Sequence, residues 1–577
     1  MKKLFPLALA LTAALTAAAG GNGPIFSTTI DFLDYVFADK EGSDEYYPVE
    51  VYEKRLKEIA DCGIKKVYLR VNCLGLTLYP TKVATLYGEG GALHWSSEYG
   101  AKRLANTVRR YDVCKETIQI AHKYGMEAWA WESLADDGYP AYNAPTRELA
   151  EKFQGRPLID PYFLAHPEGL AMGNPRHFMP KAKADRLTAE ARKYPVGRIV
   201  VNNTKKFAPI RITADTLEIY TSQDNIEYTR YNGPFKVEQG VDSKGLGKVT
   251  ISGLKISAPY IKLSHRVPFD TNFSVGLFES RDQNEIYNTR GQLVASTWGA
   301  NDNDHTPAAV KTTGSLTFDL PYGVAWDYKQ REIGCYVGIR DDIGDRYFII
   351  AEFTVPGTME HKVARFAELA AYPFDGFMLN WRTHSRVRDP NDYGFNPEVR
   401  KKFKERFGKD IWRDKFDLGD LLSLRAEAIG DYYRECKRLI GERPLYVSGL
   451  RPVPPGQTAP QKDFIGMGVS LLANLPMQYE RWIKEGSIDG VMMVGGDFSS
   501  IFTDKLTGGR PVKLGIFREA SGHLHRLRPK NYDFAADVKM LSRLEHIDEV
   551  ELYETLELTG HPEKRAALRE VTGGGGK

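Results

Sequence analysis

The run Phe374-Asp375-Gly376-Phe377-Met378-Leu379 (FDGFML) is apolar, too short for an ordinary globular helix, and opened by an Asp-Gly pair, so it reads as a buried strand. Helical spacing precedes it from Met359 to Ala371. Downstream, the same helix-then-strand rhythm recurs, with strands at Pro444 to Val447, Ile488 to Val494, Val512 to Phe517 and Glu549 to Tyr553. Upstream, strands are read at Phe26 to Phe32, Lys65 to Val71 and Met126 to Trp131, the last two introduced by Gly63 and Gly125. A helix is expected over Val49 to Ala60, and another ends at Lys123. Three strands before an interruption and five after it make eight βα units, which predicts a (β/α)8 TIM barrel of the α/β class.

The interruption has a different texture. From about residue 195 to 356, short runs alternate apolar and polar residues: Arg198 to Val201, Thr216 to Tyr220, Lys248 to Ile251, Tyr260 to Leu263, Ser274 to Phe278, Glu332 to Ile339 and Tyr347 to Phe353. Asn202-Asn203 and Asp341-Asp342 mark turns between them. An inserted antiparallel β-sandwich domain is the expectation. The predicted organisation is a signal peptide (1–19), barrel first part (20–194), sandwich (195–356), barrel second part (357–572) and a Gly-rich tail (573–577).

The signal peptide is read from Met1-Lys2-Lys3 followed by an apolar run to Ala19, with small residues Ala17, Ala18, Ala19 and Gly20 at its end. The run falls short of the roughly 20 residues that span a bilayer, so an exported protein, secreted or periplasmic, with no membrane span is expected. Lys and Arg total 78 against 75 for Asp and Glu, a net charge of +3, which gives no global field for nucleic acid or an anionic membrane. The five cysteines, Cys62, Cys73, Cys114, Cys335 and Cys436, form no CxxC pair and read as buried thiols, with an isolated bridge from Cys62 to Cys73 or Cys114 left open. HExxH, GxSxG and phosphate-loop motifs are absent, so neither metal nor cofactor is expected. Oligomeric state is not readable.

Around the opening run the text becomes specific. FDGFMLNWR (374–382), then Tyr393-Gly394-Phe395-Asn396-Pro397 leading into Val399 to Asp410, resembles the glycosyl-hydrolase-like family of secreted bacterial TIM-barrel proteins. In that family an FDG-apolar strand is followed by a YGFNP helix ending in an R(F/Y)G.D pattern. Trp482 to Met493 and Glu549 to Glu557 look like its sixth and eighth units. The resemblance covers the barrel and implies a carbohydrate substrate and hydrolysis of a glycosidic bond. One departure is evident: Asn380-Trp381-Arg382 follows the fourth strand, where many retaining barrel glycosidases carry an acid/base glutamate.

Barrel enzymes carry their reactive groups at the C-terminal ends of the strands. Glycoside hydrolysis needs two carboxyl groups there, one protonated and one ionised. Glu519, directly beyond the seventh strand, is the first candidate, and an ion pair with Arg518 is its competing role. Glu132 follows, then Glu554 and Asp497; for Asp497 a turn role beside Gly495-Gly496 competes. Substrate contacts are expected from Asp31, Arg70, Asn72, Trp131, Asn380, Trp381, Arg382, His384, Arg386 and Arg518, with Trp381 as the sugar platform. Trp129, Tyr139 and Tyr142 add ring faces nearby. Three arginines and a histidine in Arg382 to Arg388 suggest a uronate or sulfated glycan, against a loop lock with Asp389 and Asp392. Two readings compete with hydrolysis: a glycan-binding protein without turnover, and a lyase acting on acidic polysaccharides.

Overall fold

The computed structural model describes residues 23–73, 75–88, 98–138, 160, 162–163, 166–174, 189, 192–202, 213–215, 217–223, 229–241, 247–258, 260–265, 283–296, 323–327, 347–381, 391, 393–449, 474–494, 499–520, 532–553 and 555–573. Eight parallel strands close into a barrel: β1 (Ile25–Ile30), β2 (Lys66–Arg70), β3 (Glu127–Ser133), β4 (Gly376–Asn380), β5 (Leu445–Gly449), β6 (Gly490–Val494), β7 (Lys513–Glu519) and β8 (Glu549–Tyr553). They follow chain order around the ring, and β8 pairs with β1 through Ile25↔Glu549 and Thr28↔Leu552. The fold is the (β/α)8 barrel that the sequence predicts.

Helices cover the outside. Val113–Lys123 starts where Asp112 accepts from the backbone N–H groups of Cys114 and Lys115, and the chain turns into β3 at Gly125, with φ 72°. The long helix Leu418–Ile440 begins at Asp417, which caps Gly419, and ends at Gly441. Inside the ring, Tyr68, Trp129, Trp131, Met378, Tyr446, Met492, Phe517 and Tyr553 form a buried cluster of their own, which fills the lumen.

Three aspartates that stand just before strands, two of them in Asp-Gly pairs, have a definite job at the N-terminal end. Asp375 accepts from the backbone N–H of Ala128 (2.8 Å), Asp489 from that of Leu445 (2.9 Å), and Asp548 from that of Leu514 (2.9 Å). Each aspartate thus ties its own strand to the preceding one, and each also meets a basic side chain: His122, Lys437 and Lys513 respectively. The glycines that follow two of them make room. A Cβ on Gly376 would lie 2.6 Å from the Trp129 indole, and one on Gly490 would lie 2.5 Å from the Tyr446 ring.

Between β3 and β4 stand two further sheets. One has five antiparallel strands in the spatial order Lys236–Val241, Gly247–Ile256, Val196–Asn202, Gln283–Asn288, Leu293–Ser296. The other has four, ordered Thr229–Arg230, Leu217–Ser222, Tyr260–His265, Gly323–Asp327, and its last pair is parallel. Ile199, Ile251 and Ile286 of the first sheet and Ile219, Ile261 and Leu263 of the second are buried. The runs Ser274 to Phe278 and Glu332 to Ile339 lie outside the described residues. Tyr347–Ala351 corrects one expectation: it joins neither sheet and pairs antiparallel with Leu170–Met172, a strand of the chain before the insertion.

Cys62, Cys73, Cys114 and Cys436 are buried thiols outside any disulfide, so the bridge left open among the first three is not formed; Cys335 lies outside the described residues. Burial pushes the Cys62 thiol up to about 11. Among the described residues no helix is long and apolar enough to cross a membrane, and no group of three or more His, Cys, Asp or Glu could hold a metal ion.

Candidate active site

Two residues meet on one guanidinium at the C-terminal end of the lumen. Arg70, the last residue of β2, donates from Nη1 to Asp31 Oδ2 and from Nη2 to Asp136 Oδ2, both at 2.7 Å. Asp31 follows β1, and Asp136 lies in the turn after β3. All three are buried. Trp131 lies beneath them, with its ring 5.8 Å from the Arg70 guanidinium carbon and edge-on to Tyr553 at 6.0 Å. Asn380 ends β4 and is likewise buried.

Asn72 is spent on the scaffold. Its amide donates to the Ser133 carbonyl at 2.9 Å and accepts from the Ser133 N–H at 2.7 Å, imitating a strand partner beyond the end of β2.

Glu132 requires a correction. Strand alternation puts Trp129 and Trp131 on one face of β3 and Glu132 on the other, and the tryptophans take the lumen. Glu132 therefore faces the helices: Oε1 accepts from Arg365 Nη2 at 2.7 Å, and Oε2 accepts from the Tyr432 hydroxyl at 3.2 Å. Its carboxylate belongs to a buried ion-pair network rather than to the mouth. In that network Arg365 also reaches Asp160, which His361 binds at 2.8 Å, while Lys362 binds Asp137 and the Leu134 carbonyl. Burial opposes the charge on Arg365, but Glu132, Asp137 and Asp160 outweigh it and hold its pKa well above the ordinary value. Burial likewise opposes the Asp160 charge, and His361, Arg365 and Lys362 overcome it, so the carboxyl stays below its usual range.

Trp381 is the second correction. Its ring is 3 % exposed and its Nε1 donates to the Tyr433 hydroxyl at 2.5 Å, which makes it a packing residue against the helix Leu418–Ile440. The third is Arg518, which grips Asp537 through Nε (2.9 Å) and Nη2 (2.6 Å) on the helix Phe534–Leu541.

Glu519 is the last residue of β7, two positions beyond Phe517, and its backbone is in register with Tyr553. Glu554, Asp497, Arg382, His384 and Arg386 lie outside the described residues, as do Tyr139 and Tyr142. Asp136 was legible only as part of an Asp136-Asp137-Gly138 turn; its role with Arg70 has no local signature. A cavity of about 830 Å³ opens at the opposite, N-terminal end, lined among others by Lys66, Glu127, Trp129, Tyr446 and Glu549. In barrels of this kind that end serves stability rather than chemistry.

No protein-family model matches the chain, and no curated protein matches it. Solved structures that align with it include the catalytic domain of β-amylase from Paenibacillus polymyxa, at 7% identity and a TM-score of 0.40 over 96% of this chain and 98% of that one. α-L-Fucosidase isoenzyme 2 from Paenibacillus thiaminolyticus aligns at 10% identity and a TM-score of 0.38 over 96% and 48%, respectively. β-Galactosidase from Bacillus circulans sp. alkalophilus aligns at 13% and 0.27 over 44% and 46%. At such values no residue role passes from them to this chain.

Proposed function

We propose that the chain is an exported glycoside hydrolase that works at the C-terminal face of its barrel, with Glu519 as one of two catalytic carboxylates. The observation that carries the reading is the place of Glu519: a glutamate at the final position of a closed-barrel strand, on the same strand parity as the lumen residue Phe517. A carboxylate residue contributes nothing to packing there that an apolar residue would not do better. With Glu132 committed to Arg365, the second carboxylate is sought at Glu554, next after Tyr553 in the chain, or at Asp497 beyond β6. Arg70, held between Asp31 and Asp136, would form a fixed floor beneath the substrate.

An acidic or sulfated glycan is the proposed substrate. The support is the sequence Arg382 to Arg388 alone, because Arg70 and Arg518 are already engaged by carboxylates. The rival reading, a barrel that binds glycan without cleaving it, gains from the commitment of Glu132 and Trp381 to the scaffold.

The test is a panel of neutral, uronate and sulfated glycans given to the wild type and to Glu519→Gln. Loss of about 10²- to 10⁴-fold in turnover, with Tm unchanged, is expected of a general acid/base or nucleophile. Equal turnover by the variant removes Glu519 from the mechanism. Binding without turnover by the wild type establishes the rival reading, and an unsaturated product absorbing in the ultraviolet establishes a lyase.

A further inference from the structure

Strand β8 carries Glu549, Glu551 and Tyr553 at alternate positions, and all three are buried. Glu549 is well provided for: Lys66 Nζ lies 2.6 Å from Oε2, and the Tyr68 hydroxyl donates to Oε1 at 2.8 Å. Glu551 is not. It has no exposed surface; Oε1 accepts from the Thr29 hydroxyl, and Oε2 has no partner among the described residues.

The charges around it do not balance if both glutamates are ionised. From β2, Lys66 is already bound to Glu549 and sits over the Trp129 ring at 3.9 Å, with the Tyr446 ring of β5 at 5.0 Å. Its other acidic neighbour is Glu127 of β3, at 4.0 Å. Towards the C-terminal end, Arg70 of β2 is held between Asp31 and Asp136. From β1 the group that meets Glu551 is the neutral Thr29, and its register partner on β7 is Phe517. Among the described residues Tyr68 of β2, Tyr446 of β5 and Tyr553 of β8 are further titratable lumen groups, and Met378 and Met492 supply apolar wall from β4 and β6. A carboxylate in such a place loses its water and gains no cation.

We infer that the barrel closes around Glu551 in its protonated form, and that loss of this proton marks the alkaline limit of the fold. Burial, with the neighbouring Glu549 charge adding to it, pushes the Glu551 carboxyl up to about 8 from an ordinary value of 4.5. Between those values the unfolded chain releases a proton that the folded chain keeps. The contribution of this group is therefore complete below the unfolded value and is lost as the pH rises through about 8.

Two measurements test this. Glu551→Gln keeps the shape and stays neutral at every pH, so its Tm should gain on that of the wild type by several degrees as the pH goes from ~5 to ~9. Infrared spectra of the folded wild type should show a protonated-carboxyl C=O stretch at neutral pH that disappears in the alkaline range and is missing in Glu551→Gln. If that variant does not fold, the wild-type infrared titration decides alone. Glu549→Gln then adds a directional check: with one negative charge gone and Lys66 released, the infrared transition should move to lower pH. Parallel Tm curves for wild type and Glu551→Gln, or a folded wild type with no such band at neutral pH, overturn the inference.

Discussion

The two ends of the barrel use aspartate in different ways. At the N-terminal end Asp375, Asp489 and Asp548 each bind a backbone N–H of the neighbouring strand, so the carboxylate does what another turn of ladder would do. At the C-terminal end Asp31 and Asp136 share Arg70, a side chain, at the head of the lumen. A carboxylate bound to backbone is part of the scaffold, and its removal costs stability alone. One bound to a side chain under the mouth is held in position, which is what a binding face requires. The difference is in the partner, not in the residue type.

Five substitutions can break or sharpen that contrast. The largest effect belongs to the outer network: Arg365→Met leaves Glu132 buried with only the Tyr432 hydroxyl, and a loss of about 3–5 kcal/mol is expected in denaturant unfolding. Changing Glu132 to Leu in the same chain should recover much of that loss, because no unpaired charge then remains at that position. Full additivity of the two single losses would deny that they form one unit.

Next comes Gly376→Ala, which drives a methyl group against the Trp129 indole; about 1–3 kcal/mol is the expected cost of such overpacking, read as a lower Tm. Asp548→Ala should cost about 1 kcal/mol, since it loses the bond from Leu514 N–H at a half-buried position and an exposed ion pair with Lys513 that adds little, and should leave turnover as it was. A fall in turnover without a fall in stability would erase the distinction between the ends. Trp381→Phe has the smallest expected effect. It removes the bond to Tyr433 and a little volume, so Tm falls slightly and glycan affinity holds; a large loss of affinity would restore Trp381 to the mouth.

Much of this was legible before any coordinates. Most of the barrel strands announce themselves as apolar runs, several opened by Asp or Gly, because a parallel strand buried on both faces has few polar positions to confuse the reading; β1 and β8 are the exceptions, with Ser-Thr-Thr and two glutamates within them. That same double burial hides which face is the lumen. The alternation in Ala128-Trp129-Ala130-Trp131-Glu132 shows that the tryptophans and the glutamate part company, yet not which of them goes inside. Trp381 and Arg518 were misplaced for a related reason: proximity to a strand end says little about direction, and their partners Tyr433 and Asp537 sit on helices 52 and 19 residues away. The polar alternation in Glu549-Val550-Glu551-Leu552-Tyr553 was a usable signal for lumen carboxylates.

The short pairing of Leu170–Met172 with Tyr347–Ala351 reaches further than its size suggests. It brings the chain leaving the barrel alongside the chain returning to it, and Asp137 secures the return through the Ala351 N–H at 2.9 Å. Seen from the barrel, everything between residues 172 and 347 is the tip of a hairpin. Closing a loop costs entropy that grows only with the logarithm of its length, so a clasp of this kind makes the barrel nearly indifferent to what it holds. The segment between the clasped strands can lengthen, shrink or be exchanged as cargo while the eight-stranded ring keeps its own register.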